Sequence, residues 1–554
     1  KREIMKNRVK ELRNFIKSKN ADAILINSAD DFLSEYNILP LNSRYKVTGF
    51  SGSMGDCIVT SDNVYQIADG RYHEQADKEV DHNVVTVLKM QQGSSPIEEI
   101  LNVLDKNSTL ILTANKVPMQ FCQTLEKKAA KKKIKISYIL NDPIEDLAQN
   151  KYTNVKVVEI PKSITKYSAE EKFKKLKLKD NEVLLITNPV DFAYFTNLRN
   201  FDFPYSAAPR AKAIVTNNEF EIFTDSKIPL KFDGLKIHKL STFRKHLANI
   251  REKSILVDKG ALSQADFMQI HSSNKLKSSK IFELKSQKYN TEIVHLKSAF
   301  ARTDKVLKKM DDLINSNKQL SEYDLYCAII KYFEEEGAVS QSFKPIIASG
   351  TNSSIIHYSV ASDKKMIKDG DMIMIDCGGY FEGGIATDIT RTFVKGNPND
   401  ECKRIYTKVL KAFISTYTKK YSPDTTWQDI DLNTRKNLTD EEKNGYLFNH
   451  STGHGIGISV HEFPPRCSFQ DAFAKPFKKN YVFSIEPGLY KAGTAGVRLE
   501  NAVYVKSVKP NFEIEVLSHY PFEERLIDRS LLTKSEQKFL DEWQDYGKKN
   551  NLCN

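Results

Sequence analysis

The stretch MIMIDCGGYFEGGIATDITRTFV, residues 372–394, joins two apolar runs through two glycine pairs and sets one aspartate on each arm, Asp376 and Asp388. Short apolar runs separated by glycine read as the strands of a hairpin, here with a carboxylate on each arm. Further along come His450-Ser451-Thr452-Gly453-His454-Gly455, then His461-Glu462, then Ser484-Ile485-Glu486-Pro487-Gly488, then Gly496-Val497-Arg498-Leu499-Glu500-Asn501. Four carboxylates and one imidazole thus recur at strand ends. Side chains alternate along a strand, so Arg498 and Glu500 share one face while Val497 and Leu499 pack into a core. That arrangement points a charge pair at a cavity.

Taken singly, each of these residues has a plainer explanation, since an aspartate after a strand is usually a turn former and two histidines four apart usually share a helix face. Gly453, Gly455 and Gly457 argue against a helix at His450 and His454, because glycine is a poor helix former and lets backbone approach a ligand closely. Burying Asp376, Asp388, Glu486 and Glu500 together without partners is costly unless cations compensate them. Two divalent cations would balance the four negative charges.

Upstream of this region the chain changes character. A long amphipathic helix is expected from about Thr291, with Ile293, Leu296, Phe300, Val306, Leu307, Met310 and Leu313 on one face. Before it, the chain repeats itself. A helix carrying Val9, Leu12, Phe15 and Ile16 precedes the apolar run Ala23 to Ile26, and a capping box of Ser168 and Glu171 precedes Phe173, Leu176 and the run Val183 to Ile186. Ile24-Leu25-Ile26, Asp31-Phe32 and Asn37 match Leu184-Leu185-Ile186, Asp191-Phe192 and Asn197 at a constant offset of 160. Ile58-Val59-Thr60 and Asp69 then match Ile214-Val215-Thr216 and Asp225 at an offset of 156, which places a change of length between the blocks. Three domains follow: two related α/β domains at 1–155 and 156–286, and a third at 287–554. Only the first repeat carries the glycine-rich Gly49-Phe50-Ser51-Gly52-Ser53 and the turn Asp69-Gly70-Arg71-Tyr72, so the two copies are not expected to be equivalent in function.

Composition agrees with this division. The 554 residues exceed one ordinary core, and 40% hydrophobic with 28% charged residues is a globular, not a membrane or disordered, balance. No apolar run approaches the ~20 residues of a spanning helix. Seven scattered cysteines, none spaced as CxxC, indicate neither a disulfide framework nor a thiolate zinc site, and fit a reducing, cytoplasmic compartment. The first residues, Lys1-Arg2-Glu3-Ile4-Met5, contain no apolar stretch of a secretory signal, and with no initiator Met an upstream targeting segment can be missing. The net charge of +12 comes from dispersed lysines, which reads as a solvated surface and not as a nucleic-acid footprint.

With their flanking residues, Asp376, Asp388, His454, Glu486 and Glu500 resemble the five metal ligands of the pita-bread metallopeptidases. Two creatinase-type N-terminal domains before such a domain resemble the eukaryotic three-domain Xaa-Pro aminopeptidase family, over nearly the whole chain. Ser342-Phe343-Lys344-Pro345 and Ile355-Ile356-His357-Tyr358 fit the same family. Two departures stand out. The step from Asp376 to Asp388 is one residue longer than the family's usual spacing, which a bulge or a longer turn would absorb. The segment from His454 to His461 is shorter than in cytosolic three-domain members, closer to the prolidase or bacterial form.

The resemblance implies an α/β (α+β) chain that removes the first residue of a peptide whose second residue is proline. It further implies a homodimer and, per subunit, two divalent ions bridged by a water; carboxylate-rich ligation suits manganese, with zinc or cobalt as alternatives. Glu486 would be both ligand and general base, His461 and His357 would hold the scissile carbonyl oxygen, and His450 would line the site. Arg498 would orient Glu500 or another ligand, a surface ion pair being the plainer alternative, and Arg71 would reach substrate from its turn, a solvated arginine being the plainer one. His73, His82, His238, His246, His271, His295 and His519 show no comparable neighbours in sequence. The competing functions are a prolidase, which cleaves dipeptides and usually carries one N-terminal domain, and an inactive pita-bread scaffold or chaperone, which would lack ligands.

Overall fold

The computed structural model describes residues 2–144 and 155–553 and forms two compact units. The expected boundary at residue 155 adjoins the stretch 145–154, which lies outside the described residues. One unit comprises Lys1–Glu159, Tyr167–Pro204 and Ala208–Phe282, and the other comprises Ile160–Lys166, Tyr205–Ala207 and Glu283–Asn554.

The first unit contains the repeat. Its first sheet runs in the order Thr86–Lys89, Val64–Ala68, Cys57–Thr60, Ala23–Ile26, Thr109–Thr113, Lys135–Ile139. The second runs Leu235–His238, Phe220–Phe223, Lys212–Val215, Glu182–Ile186, Ser254–Val257, Lys275–Lys277. Both sheets show the same sequence of parallel and antiparallel pairings from edge to edge. The register matches as well: Ile24 faces Val59 in one sheet and Leu184 faces Val215 in the other, the two offsets read from the sequence. The first helix, Arg2–Ser18, buries Val9, Leu12 and Ile16 against its sheet, and the capping box of Ser168 and Glu171 opens the helix Ala169–Leu176. The repeats meet through a backbone bridge from Pro118 to Ser263 and a buried ion pair of Arg210 with Asp30 at 3.2 Å. The glycine-rich turn of the first repeat has a structural task, since Gly55 accepts from the buried Arg44 guanidinium at 2.7 Å and Gly52 accepts from it too.

The second unit opens with the long helix Asn290–Ile314, whose Leu296, Phe300, Val306, Leu307 and Met310 are fully buried. The hairpin 372–394 supplies two strands of a three-stranded sheet, its first strand lying between Ile346–Ser349 and its own second strand. It keeps a single register from the pair Met372–Val394 to the bridge Tyr380–Ala386, leaving residues 381–385 as its turn. The longer spacing between the two aspartates therefore needs no bulge. A five-stranded sheet lies in the order Glu462–Cys467, Gly453–Gly455, Val482–Ile485, Asn501–Ser507, Glu513–Val516. The bridge from Thr390 to Glu500 joins the two sheets. Helices Asp400–Thr418 and Lys534–Lys549 cover the core that contains Phe413, Phe483, Val497, Leu499 and Trp543. Among the described residues no helix is long and apolar enough to cross a membrane.

Candidate metal centre

Five strand ends deliver the acidic group. Asp376 sits near the end of Met372–Cys377, Asp388 just before Ile389–Val394, His454 in Gly453–Gly455, Glu486 after Val482–Ile485, and Glu500 between Ala495–Arg498 and Asn501–Ser507. Close approach of these strands requires glycine at two positions: a Cβ at Gly378 would collide with the Thr387 carbonyl oxygen, and one at Gly453 with that of Ser484. Atoms of Asp388, His454 and Glu500 lie within 4.8 Å of one another, in the geometry of a metal-holding group. His454 Nε2 stands 3.3 Å from Asp388 Oδ2 and 3.3 Å from Glu486 Oε1. Its Nδ1 lies 2.9 Å from the Gly455 carbonyl, which can only accept, so Nδ1 carries a proton and Nε2 is the ring atom aimed at the carboxylates.

Electrostatics single out the same cluster. Burial, reinforced by Asp388 and Glu486 and only partly offset by Arg498, raises the Asp376 carboxyl to about 7. Burial together with Asp388, Glu486 and Asp376 pushes Glu500 well above the usual range. Glu486 goes the other way: burial alone would raise it, but the hydrogen bond and charge of His454 outweigh burial and hold it at about 2. For His454, burial opposes the charge, yet the two carboxylates prevail and raise its pKa well above the ordinary value. Asp376 Oδ1 and Glu500 Oε1 are buried and accept no hydrogen bond. Buried acceptors without donors, in a cluster with more carboxylates than basic groups, fit cation ligation by chemistry and by charge.

A ring of side chains fixes these groups. Arg498, 1% exposed, donates to Asp376 Oδ2 at 2.7 Å, to the Tyr490 hydroxyl at 2.9 Å and to Thr390 Oγ1 at 3.3 Å. It is therefore not a surface ion pair, and the carboxylate it orients is Asp376, while Thr390 donates to Glu500 Oε2 at 2.7 Å. Ser484 Oγ donates to Glu486 at 3.0 Å. The His450 Nε2 lies 2.8 Å from the Tyr490 hydroxyl and its Nδ1 2.8 Å from the Ser451 carbonyl, which makes Nδ1 the donor and Nε2 the acceptor. Burial holds His450 neutral, with a pKa lowered to about 4.

His461 packs edge-on against His454, ring centres 4.4 Å apart. Its neighbour Glu462 is buried against Lys288 at 2.5 Å and accepts from the Ile458 amide at 3.2 Å, and a Cβ at Gly457 would strike that carboxylate. The short segment between His454 and His461 thus closes over Glu462. His357 is half-buried in the turn after residues 350–354. Arg71 lies in the first N-terminal domain, where its Nε and Nη2 donate to the two Asp69 oxygens at 2.9 and 2.8 Å.

Two features escape the sequence reading. Tyr490 links Arg498 to His450; the signal was the spacing Glu486, Gly488, Tyr490, which alternation places on one face, and a Cβ on Gly488 would collide with the Tyr490 hydroxyl. The other concerns His238 and His246, which do have a comparable neighbour: both lie 3.2 Å from Glu221 Oε2, brought there by strand pairing and a short helix far apart in sequence.

Residues 294–507 match metallopeptidase family M24, and residues 8–142 and 148–292 each match creatinase/prolidase N-terminal domains. A probable Xaa-Pro aminopeptidase P of Laccaria bicolor is 28% identical over 97% of this chain and 89% of its own length. Xaa-Pro aminopeptidase 1 of Dictyostelium discoideum is 27% identical over 98% of this chain and 92% of its own. In fold the chain is similar to X-prolyl aminopeptidase of Caenorhabditis elegans, described as a cytosolic enzyme with a di-nuclear active site, with a TM-score of 0.87, 22% identity and coverage of 96% of this chain and 92% of that one. Prolidase of Pyrococcus furiosus, 26% identical with a TM-score of 0.50, covers 62% of this chain while 97% of it is matched. Two creatinase-type domains before an M24 domain, with likeness over almost the full length, decide the reading: the chain is a three-domain homologue of the Xaa-Pro aminopeptidase P proteins, with a metallopeptidase family M24 domain at residues 294–507.

Proposed function

We infer that this protein is a metal-dependent aminopeptidase that hydrolyses the bond between an N-terminal residue and a following proline. The observation that carries the reading is that the likeness to Xaa-Pro aminopeptidases extends through both N-terminal domains, whereas the prolidase from Pyrococcus furiosus accounts for 62% of the chain. The filled set of acidic positions speaks against an inactive scaffold.

Asp376, Asp388, His454, Glu486 and Glu500 are the residues we assign to two divalent ions, manganese being our choice and zinc or cobalt the alternatives. Such ions supply Lewis acidity toward a water nucleophile and the scissile carbonyl at neutral pH. Around them the side chains divide the work. Glu486, ionised at neutral pH and held by Ser484, takes the proton of the attacking water and returns it to the proline nitrogen as the C–N bond breaks. His461 and His357 are proposed to hold the carbonyl oxygen as charge develops on it, and His450, kept neutral, to line the site. Arg498 holds Asp376 in position, and Arg71 is proposed to reach substrate. The domain limits 1–155, 156–286 and 287–554, a homodimeric assembly and a cytoplasmic location belong to the same proposal.

Proline at the second position removes a backbone N–H and fixes φ, so it demands a dedicated site. The test is peptide length and sequence. With manganese, Xaa-Pro-Zaa peptides of three or more residues should release only their first residue, and leucine in place of proline should greatly slow cleavage. Hydrolysis confined to Xaa-Pro dipeptides would favour prolidase, and equal cleavage of the leucine peptide would sink proline specificity.

A further inference from the structure

The second N-terminal domain contains another group of ligand-type side chains. Glu221 lies in the strand Phe220–Phe223 and His238 ends the parallel neighbour Leu235–His238, while His246 comes from the helix Phe243–Ala248. His238 Nε2 and His246 Nδ1 each lie 3.2 Å from the same oxygen, Glu221 Oε2, and the three atoms fall within 4.8 Å of one another. Ligand atoms about 2.0–2.2 Å from a tetrahedral zinc ion stand about 3.3 Å apart, so the two measured separations are those of a coordination sphere as well as of a hydrogen bond. His238 Nε2 is buried yet makes no hydrogen bond of good geometry, so its lone pair or proton is directed at the carboxylate without being satisfied by it.

Packing fixes the two rings. Phe223, fully buried, stacks on His238 with centres 5.0 Å apart and meets His246 edge-on at 5.0 Å, and Phe243 and Leu247 complete the wall from the helix that carries His246. The imidazoles sit 4.6 Å apart, tilted by 50°. Lys236, the cross-strand neighbour of Glu221, has its ammonium paired with Glu219 at 2.5 Å. Side-chain exposures of 20% for Glu221, 27% for His238 and 36% for His246 leave one side open to water.

We propose that Glu221, His238 and His246 form a second metal site, binding one divalent transition-metal ion of the zinc class, with two imidazoles and one carboxylate as protein ligands and the remaining position open to solvent. Two nitrogens and one oxygen suit zinc, cobalt, nickel or copper and disfavour magnesium or calcium, which select oxygen donors. The ion would tie the sheet edge to the helix Phe243–Ala248, contacts that bear on this domain and not on the M24 domain's chemistry.

The test uses the full chain, stripped with chelator and titrated with zinc against a chromophoric competitor. Wild type should bind one more equivalent than His246→Ala or Glu221→Gln, each checked for native circular dichroism, while the variants keep peptidase activity under saturating manganese. In the background of His454→Ala, cobalt should give intense visible absorption bands that disappear when His246→Ala is added. Two variants are used so that a folding failure of one leaves the other decisive. Equal zinc stoichiometry and affinity in wild type and in a folded variant, or cobalt bands that survive in the double variant, would overturn the proposal.

Discussion

Arg498 donates to Asp376 at 2.7 Å from a position 1% exposed, 122 residues along the chain from its partner. The guanidinium also holds the Tyr490 hydroxyl and Thr390 Oγ1, so one planar fork orients a carboxylate, a phenol and the threonine that serves Glu500. Lysine cannot reproduce that fork. Arg498→Lys should lower kcat/KM about 10–100-fold and weaken metal affinity over a similar range, with little change in peptide selectivity. Kinetics together with metal titration would read both, and unchanged values of both would remove Arg498 from the site.

Chelation should abolish peptidase activity, and manganese should restore it. Asp388→Asn and Glu486→Gln each remove one negative oxygen from the group around His454, so both should lose bound metal by elemental analysis and fall by orders of magnitude in kcat. Full activity with native metal content in either variant would refute the assignment of that residue.

Arg71 is paired with both oxygens of Asp69 in its own turn, which leaves the guanidinium pre-oriented and about a quarter exposed, at 27%. If it binds substrate, Arg71→Ala raises KM or lowers kcat/KM while melting temperature and metal content stay where they were. Kinetics identical to wild type would leave the arginine a turn residue.

A separate expectation concerns stability. Burial raises the Asp304 carboxyl to about 7, against the opposing hydrogen bond from Ser518 at 2.6 Å and the charge of Arg391. The folded value exceeds the ordinary 3.8, so the native state holds this proton more tightly than the unfolded chain does. Its contribution to stability is complete below the ordinary value and is lost as pH rises through about 7. Asp304→Asn cannot ionise. Its melting temperature relative to wild type should climb between about pH 4 and about pH 7 and level off above that, and a difference that stays flat over that interval would show that Asp304 does not titrate there.

Much of this architecture is legible in local pattern. The repeat offsets of 160 and 156 are the strand registers Ile24–Val59 and Leu184–Val215, because strand pairing copies short apolar runs directly. The long helix from Asn290 and the hairpin 372–394 are equally local, set by 3.6-residue periodicity and by glycine pairs. What the sequence does not display is which distant groups face one another. Arg498 could be placed on the face of Glu500 by alternation, but its partner Asp376 is chosen by the meeting of two sheets. His238 and His246 look unaccompanied in one dimension since Glu221 reaches them across a parallel pairing and a packed phenylalanine. The part of Tyr490 is hidden in sequence for the same reason, its two partners being 40 residues before it and 8 after it.

The ion pair of Lys288 with Glu462 has a consequence for anyone who would shorten this protein. The span matched to the peptidase family begins at residue 294, six positions beyond that lysine. A catalytic fragment cut there would retain Glu462 in the interior, beside His461, with its counter-charge discarded, and an uncompensated interior carboxylate commonly costs about 3–5 kcal/mol. Such a fragment would misfold or release the loop carrying His461, and its silence in an assay would be mistaken for a need of the N-terminal domains. Beginning the fragment ahead of Lys288 separates the two explanations.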